Sequence, residues 1–371
     1  MKKLTILAMA CIILIAAVCA GCTQTNEKSN SLSEPENRVV TDLLGRKIEL
    51  KGAVEKVVAI GPGALRLYCY AGDVSKVVGI EQMEVDDVTG RPYILANKQL
   101  TSLPVIGAGG PRNAPDSEKI VAVAPDVIFT TTSYAGDIAT ADELQQKTQI
   151  PVVVLNYGLE STFDPDVDAS LLLIGQVMGQ EEKSREIVDY IAQCKNDLND
   201  RTKDIADSDR PTAYVGGLGA AGVHGIESTR GDYALFKAVN AVNVIDETGQ
   251  TGSVMIDKEK LLEWNPDRIF IDYSGLTMVR DDYSTNPQIY QALSAFKNGE
   301  IYAQLPYNWY HTNIEVSICD AYYIGEVLYP EQFKDIDIVE KSGEIINRFV
   351  GKNVYPVLAD QFGEFGKITM E

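Results

Sequence analysis

The alternation of apolar and polar positions along the chain predicts short buried strands that take turns with amphipathic helices. The apolar runs are short and rich in Val and Ile, which is typical of strands that are buried on both faces of a parallel sheet. Such sheets are covered by helices on both sides. After a hairpin at residues 39–50, strands are predicted at residues 57–60, 77–80, 127–129, 152–155, 212–215, 269–272 and 301–303. The pattern therefore predicts an α/β fold with mostly parallel sheets.

One apolar pattern occurs twice. Residues 116–129 read D-S-E-K-I-V-A-V-A-P-D-V-I-F, and residues 257–270 read D-K-E-K-L-L-E-W-N-P-D-R-I-F. In each copy an acidic residue can cap a helix, and Pro-Asp ends that helix before a buried strand. Ile120, Val121 and Val123 are expected on the buried face of the first helix. The repeat predicts two similar halves, the alternative being a common helix–strand junction that arose twice by chance.

Residues 181–206 contain neither Pro nor Gly, and their apolar residues fall at helical spacing. They predict a single stiff helix, about 40 Å long at about 1.5 Å per residue. Two αβ lobes joined by this helix are the simplest architecture. The predicted domains are an N-terminal lobe at residues 38–180, a linking helix at 181–207, and a C-terminal lobe at 208–371 that ends in helices.

The N-terminus reads as a secretory signal. Lys2 and Lys3 precede an apolar run at residues 4–18, which is too short to span a bilayer comfortably. The signal ends at Cys22 and resembles a lipoprotein signal, although Cys19 stands where an aliphatic residue is usual. An uncleaved anchor is the alternative to lipidation. Residues 23–37 are too polar to fold and are expected to tether an extracytoplasmic protein to the membrane.

Composition excludes several classes of function. With 33 Lys and Arg against 53 Asp and Glu, the net charge of −20 makes nucleic acid an unsuitable partner. Cys69, Cys194 and Cys319 lack C-x-x-C spacing, so we interpret them as core residues, with one disulfide as the alternative. No nucleophile elbow, zinc-protease pair or Cys-His-Asn set is present in the sequence, so we expect neither an enzyme nor a cofactor.

Candidate ligand residues lie in loops that follow the predicted strands, where ligands of doubly wound lobes bind. They are Arg112, Tyr134, His224, Arg230, Tyr307, Trp309, Tyr310 and His311. Aromatic rings and His suit a flat macrocycle or a metal chelate, and Arg112 suits an anion. The alternatives are ordinary packing for the aromatic residues and a surface charge for Arg230. His224 and His311 are the only histidines in the sequence, too few for a typical divalent-metal site.

Together, the signal ending at Cys22, the segment V-T-D-L-L-G-R-K-I, the repeated P-D-x-I-F motif, the long helix and N-A-V-N-V resemble a family of solute receptors. That family consists of lipid-anchored receptors of ABC importers that bind iron–siderophore complexes, haem or cobalamin. The resemblance covers residues 38–358 and implies a class III solute-binding protein, with two Rossmann-like lobes joined by one rigid helix and the ligand between them. It also implies a monomer that docks on a permease dimer with its ATPase, through the matching residues Glu118 and Glu259. A favourable helix-capping charge is the alternative for each Glu.

The expected function is therefore capture of an iron–siderophore, haem or corrinoid outside the cytoplasm and its delivery to a permease. A molybdate or tungstate receptor is the alternative if Arg112, Arg230 and backbone amides converge. Direct capture of a metal ion and an extracellular enzyme are further alternatives. Because a stiff linking helix lets the lobes rotate only slightly, we also expect a cleft that is formed before the ligand binds, with Tyr307 and Trp309 facing it.

Overall fold

The computed structural model describes residues 37–159 and 161–370. The predicted signal peptide, Cys22 and the tether up to residue 36 lie outside the described residues. Within the described ranges, no helix combines the length and apolar character needed to cross a membrane. The strands are β1 Arg38–Thr41, β2 Lys47–Leu50, β3 Val57–Ala59, β4 Val127–Thr131, β5 Val152–Leu155, β6 Thr212–Gly216, β7 Ser228–Gly231, β8 Val242–Asn243, β9 Gly252–Met255, β10 Arg268–Asp272, β11 Ile301–Gln304 and β12 Gly366–Lys367.

The helices are α1 Ala64–Ala71, α2 Gln82–Asp86, α3 Pro92–Ala96, α4 Ser117–Ala122, α5 Ile138–Thr148, α6 Pro165–Met178, α7 Glu181–Thr202, α8 Ala234–Ala238, α9 Lys258–Trp264, α10 Leu276–Thr285, α11 Pro287–Ala292, α12 Ser294–Asn298, α13 Ile314–Leu328, α14 Ile338–Val350 and α15 Tyr355–Phe362. We call residues 38–180 the N-terminal half and residues 208–370 the C-terminal half.

Each half contains a parallel sheet. In the N-terminal half the strand order is β3-β4-β5, and the β1–β2 hairpin joins it through a bond from Leu43 N to Val154 O at 3.0 Å. In the C-terminal half the order is β12-β11-β10-β6-β8, and only β12 runs antiparallel. The strands of both sheets are almost wholly buried, as continuous apolar runs predict. The predicted α/β class with mostly parallel sheets is confirmed.

The repeated motif forms the same unit twice, α4 before β4 and α9 before β10. Its Pro-Asp carboxylate has the same role in both halves. Asp126 accepts hydrogen bonds from the amides of Glu55 and Lys56, each at 2.8 Å, just before β3. Asp267 accepts from the amide of Thr212 at 2.8 Å, where β6 begins. Each motif therefore ties its own strand to the start of the neighbouring parallel strand.

The two motif helices differ in detail. Asp116 caps α4 by accepting from Lys119 N at 3.1 Å, whereas Asp257 makes no side-chain capping bond to α9. The prediction for Val121 is wrong, because its side chain is 46% exposed while Ile120 is fully buried. Adjacent side chains on a helix point about 100° apart, so the orientation of α4 that buries Ile120 turns Val121 towards solvent.

Helix α7 buries Ile187, Ile191, Cys194 and Leu198, as its periodicity predicts. It ends at Thr202, earlier than the predicted linking helix. At this point the Asn240 side chain donates to Thr202 Oγ1 at 3.0 Å and to Asn199 Oδ1 at 3.2 Å. The end of the helix is thus accompanied by contacts with the C-terminal half, and no Gly or Pro marks it in the sequence.

The largest hydrophobic cluster spans both halves, while two smaller clusters each lie within one half. Helix α14 packs against α1 and α3 of the N-terminal half, and α13 packs against α7. Tyr70 of α1 meets the Phe349 ring edge to face, with centroids 5.0 Å apart, and its hydroxyl donates to Glu315 of α13. A single buried cluster extends from Tyr68 to Phe270. Within the described residues, the predicted core cysteines Cys69, Cys194 and Cys319 are buried free thiols.

Candidate functional site

The segment between β11 and α13, residues 305–313, reaches from the C-terminal half to the N-terminal half; we call it the crossing loop. His311 in this loop stacks on Tyr157, with ring centroids 4.1 Å apart and planes 7° from parallel. Its Nε2 pairs with Ser133 Oγ. Because Ser133 follows β4 and Tyr157 follows β5, the contact lies at the carboxyl ends of the N-terminal strands. The candidate site therefore lies between the halves, at the strand ends where ligands of such sheets bind.

His311 is electrically neutral at pH 7. Burial of its ring, and secondarily the positive charge of Arg66, lower the pKa of His311 to about 4. A neutral imidazole both donates and accepts one hydrogen bond. Its Nε2 already meets Ser133, so the ring acts first as a bridge between the halves.

Trp309 and Tyr310 are held differently. The Trp309 ring lies against Gly90, where an added Cβ would come within 2.2 Å of the indole Nε1, and its centroid is 6.2 Å from that of Phe362. Tyr310 is 48% exposed, has a positive φ of 57°, and lies under the Arg91 guanidinium at 5.4 Å from the ring centroid. Trp309 is thus occupied by packing, whereas Tyr310 offers an exposed ring.

A small cavity between the halves is lined by Thr162, Arg230, Tyr233, Ala234, Leu235, Tyr307 and Thr312, and its volume is about 10 Å³. That is room for about one water molecule. The sequence predicts that Tyr307 faces a preformed cleft; in the structure Tyr307 lines this cavity and is mostly buried beside Tyr233, with ring centroids 6.4 Å apart. Its contact with a ligand stays a prediction. Burial raises the pKa of both phenols, so they remain protonated donors.

Arg230 lies at the edge of this cavity and reaches the other half. Its Nη2 donates to the carbonyl of Leu159 at 2.9 Å. The sequence interpretation placed Arg230 in a loop, but it lies in β7, paired with Ser253 of β9. The pairing strand is more than twenty residues away in the sequence and each strand has only four residues, so local pattern gave no signal for this hairpin.

The glycine-rich loop at residues 216–225, which begins at the end of β6, folds against the crossing loop. Asn308 Nδ2 donates to Gly219 O at 2.7 Å, while His224 Nε2 pairs with the carbonyl of Ala220 at 2.8 Å within its own loop. His224 and His311 thus have separate partners. In the part of the chain that the structure describes, no cluster of three or more His, Cys, Asp or Glu side chains has the arrangement of a metal site.

The remaining predicted ligand residues lie in the N-terminal half. Tyr134 is half-buried beside Ser133, at the turn after β4. Arg112 is exposed in a glycine-rich loop that is attached through Gly107 O to Gln82 N at 2.8 Å. Arg112 does not line the small cavity. The ligand role of each of these residues stays a prediction.

Sequence reasoning missed Arg66. This arginine of α1 is 1% exposed and donates from Nη2 to Trp309 O at 2.7 Å. The signal in the sequence was slight: a single charged residue in the apolar helical run A-L-R-L-Y-C-Y-A. Glu118 and Glu259, predicted to dock on the permease, are both exposed in the first turns of α4 and α9. Their docking role also stays a prediction.

Comparison with known proteins places the chain in a family. Residues 57–306 match the family described as periplasmic binding protein. The chain is 21% identical over 360 residues to the molybdate-binding protein MolA of Haemophilus influenzae, covering 88% of this chain and 95% of that protein. A molybdate-bound structure of MolA has a TM-score of 0.67 at 20% identity, with 85% of this chain and 98% of that chain covered.

Two further similarities point the same way. The iron-uptake system-binding protein of Bacillus subtilis is 24% identical over 319 residues, covering 81% of this chain and 90% of that protein. A periplasmic solute binding protein from Veillonella parvula has a TM-score of 0.69 at 17% identity, covering 88% of this chain and 97% of that chain. The chain therefore belongs to the periplasmic binding protein family: it is an extracytoplasmic solute-binding protein of an ABC transporter and not an enzyme.

Proposed function

We propose that this receptor captures a small oxyanion of the molybdate or tungstate class between its halves and delivers it to its permease. The observation that carries the proposal is the cavity of about 10 Å³ lined by one arginine and several hydroxyl groups. A tetrahedral anion is larger than the single water that this cavity admits, so binding requires the cavity to widen. A macrocycle would require the crossing loop to leave its contacts with the N-terminal half.

The convergence of Arg112 with Arg230 that the sequence analysis required is absent, because Arg112 does not line the cavity. The rest of the lining nevertheless suits an anion. Arg230 supplies a charged donor, and the protonated phenols of Tyr233 and Tyr307 supply neutral ones. Arg66 adds a buried positive charge behind Thr312, whose carbonyl it approaches at 3.4 Å. Because the whole chain carries a net charge of −20, an anion needs such a local positive potential to enter.

A metal chelate, such as an iron–siderophore, haem or corrinoid, is the second candidate ligand. The exposed ring of Tyr310 favours it, because a flat ligand can stack there. The likeness to an iron-uptake protein of Bacillus subtilis supports it as well. This candidate places the ligand at the rim of the site rather than in the cavity. Direct binding of a metal ion has less support, since His224 and His311 have separate partners.

The proposal also covers how the receptor is attached to the membrane and where it docks. Cys22 carries the lipid anchor, the folded part acts as a monomer, and Glu118 and Glu259 meet the permease. Support comes from the sequence at Cys22 and from the exposure of both glutamates.

Calorimetric titration of the folded part with molybdate, tungstate, sulfate, haem and a ferric siderophore tests the proposed ligand. We expect molybdate or tungstate to bind, and Arg230→Gln to weaken that binding about 10- to 100-fold, as loss of a charged hydrogen bond does. Arg280→Gln is the matched control, because Arg280 is an exposed arginine of the same half that does not line the cavity. Binding of haem or the ferric chelate, with no oxyanion affinity and a larger effect of Tyr310→Ala, would overturn the proposal.

A further inference from the structure

Arg66 connects the two halves from beneath the candidate site. Its Nη2 donates to Trp309 O at 2.7 Å, and its Nη1 approaches Thr312 O and Tyr157 Oη, each at 3.4 Å. Trp309 and Thr312 lie 243 and 246 residues further along the chain. A side chain of the N-terminal half therefore holds the main chain of the crossing loop.

Burial of the Arg66 guanidinium costs free energy of folding, because the charge loses its hydration. The side chain is 1% exposed, and its hydrogen-bond acceptors are two carbonyls and a phenol, all of them neutral. A buried guanidinium with neutral acceptors loses hydration without the return of a close ion pair. The titratable groups that face it are Tyr70, Tyr93 and Tyr157, and the buried carboxyl of Glu315 lies within electrostatic range.

Other contacts of the crossing loop point to the same half. His311 stacks on Tyr157 and pairs with Ser133, and Asn313 Nδ2 donates to Gly90 O at 2.8 Å. Trp309 packs against Gly90. The start of the loop keeps contacts with the C-terminal half, from Tyr307 to Tyr233 and from Asn308 to Gly219. The contacts of its later part, residues 309–313, attach that part to the N-terminal half.

We propose that Arg66 is the positioning residue of the ligand site: by holding the main chain of Trp309 and Thr312, it fixes the later part of the crossing loop to the N-terminal half and so places His311 and Thr312 at the strand ends of that half. The ligand role of the loop rests on the proposed function, whereas its attachment by Arg66 does not. The later part of the crossing loop thus belongs to the N-terminal wall of the site, although it follows a strand of the C-terminal half in the sequence. Arg66 also supplies part of the positive potential that keeps His311 neutral.

Two variants and one control separate positioning from ordinary packing. Arg66→Met removes both the bonds and the charge, while Arg66→Lys keeps the charge but cannot span two carbonyls and a phenol. Arg46→Met is the matched control: Arg46 is also a buried arginine, 8% exposed, but it bonds Asp42 and Asp142 away from the crossing loop. All measurements are made on the folded part without ligand, so failure of the proposed function in titrations leaves them unaffected.

Fluorescence of Trp309 reports the position of the loop. The chain has two tryptophans, so Trp264→Phe leaves Trp309 as the single emitter. We expect Arg66→Met and Arg66→Lys to raise acrylamide quenching about twofold, since a released loop exposes its indole to solvent. Arg46→Met should leave the quenching unchanged although it lowers the thermal stability.

A pH titration followed by proton NMR reports the effect of the Arg66 charge on the His311 ring. The signal of His224, in the glycine-rich loop at residues 216–225, serves as the reference. Arg66→Met should raise the pKa of His311 by about one unit, because a nearby positive charge has been removed. Arg66→Lys should leave that pKa close to its wild-type value. If Arg66→Met lowers stability as Arg46→Met does, yet leaves both the quenching and the His311 titration unchanged, Arg66 is a packing residue and the proposal is wrong. Should Arg66→Met not fold, unchanged quenching in Arg66→Lys overturns the proposal by itself.

Discussion

Tyr157 and His311 stack almost parallel across the two halves, with ring centroids 4.1 Å apart. The Tyr157 hydroxyl donates to Gly63 O at 3.1 Å, just before α1 begins. One aromatic pair therefore connects the end of β5, the start of α1 and the crossing loop. Such a stack adds about 1 kcal/mol beyond the burial of its area, and here it also fixes where the loop lies.

Gly63→Ala should disrupt this arrangement. Gly63 has a φ of 79°, and an added Cβ would lie 2.6 Å from the ring of the buried Tyr157. We expect a loss of about 3 kcal/mol in the free energy of unfolding, from backbone strain and overlap combined. Gly45→Ala is the control, because Gly45 has a φ of 78° but nothing within 4 Å of the added Cβ. Its loss should be about 1 kcal/mol. Equal losses in urea unfolding would mean that the Tyr157 ring yields easily.

His311 should make the fold sensitive to acid. Its folded-state pKa of about 4 lies below its ordinary value of 6.5, so the unfolded chain takes up the proton first as the pH falls. This contribution to stability is complete above pH 6.5 and is lost towards pH 4, by up to about 3 kcal/mol. His311→Phe keeps an aromatic ring and should flatten the unfolding free energy between these pH values. Ser133→Ala removes the Nε2 partner but keeps the imidazole, and it should retain the slope. A His311→Phe curve as steep as that of the wild type would contradict the assignment.

Asp272 should act with the opposite sign. Burial raises its pKa to about 7, and Asp320, also fully buried, lies close enough for its own pKa to be raised further by the Asp272 charge. The native state therefore keeps a proton that the unfolded chain has lost, and this stability disappears as the pH rises from about 4 through 7. Asp272→Asn keeps an acceptor for Ser274 N, which Asp272 binds at 2.8 Å. The variant should remove about 2 to 4 kcal/mol of pH dependence over this range.

Thermal unfolding at several pH values checks the Asp272 prediction. The exposed Asp360→Asn is the control, and its melting temperatures should follow the wild-type curve. If Asp272→Asn keeps the wild-type dependence, the carboxyl is ionised in the folded protein.

Glu118 and Glu259 should matter to transport and not to ligand binding. Both are exposed at the starts of the two motif helices, so their loss removes charge without disturbing a core. The double variant Glu118→Ala, Glu259→Ala should lower uptake in cells about tenfold or more if both sides of the docking surface are needed. Glu263→Ala, an exposed change on α9, is the control. Reduced ligand affinity in the purified double variant would instead assign the pair to the ligand site.

The sequence allowed the sheets, the repeat and the family to be predicted because these depend on local patterns. Apolar runs such as residues 152–155 predict buried strands, and Pro125 and Pro266 mark both helix–strand junctions. The end of α7 at Thr202 was not predictable, since it coincides with hydrogen bonds from Asn240 rather than with a breaker residue.

The candidate site was only partly predictable. His311 was predicted as a ligand residue from its place after a strand, but its stack on Tyr157 joins residues more than 150 positions apart. The role of Arg66 was not predicted, because a single arginine in an apolar helix forms no periodic pattern. The carbonyls of Trp309 and Thr312 that accept its hydrogen bonds are main-chain groups, which every residue carries. Contacts of this kind depend on how the halves come together and leave no mark in the local sequence.

The continuous core has a consequence for how the protein unfolds. Because α14 packs on α1 and α3, and Tyr70 contacts both Phe349 and Glu315, neither half completes its interior alone. A fragment that stops after α7 would leave the apolar faces of α1 and α3 without cover. Melting should thus be one cooperative transition, with a calorimetric enthalpy equal to the van't Hoff enthalpy. The two parallel sheets lie in different halves of the receptor, yet we expect them to unfold together.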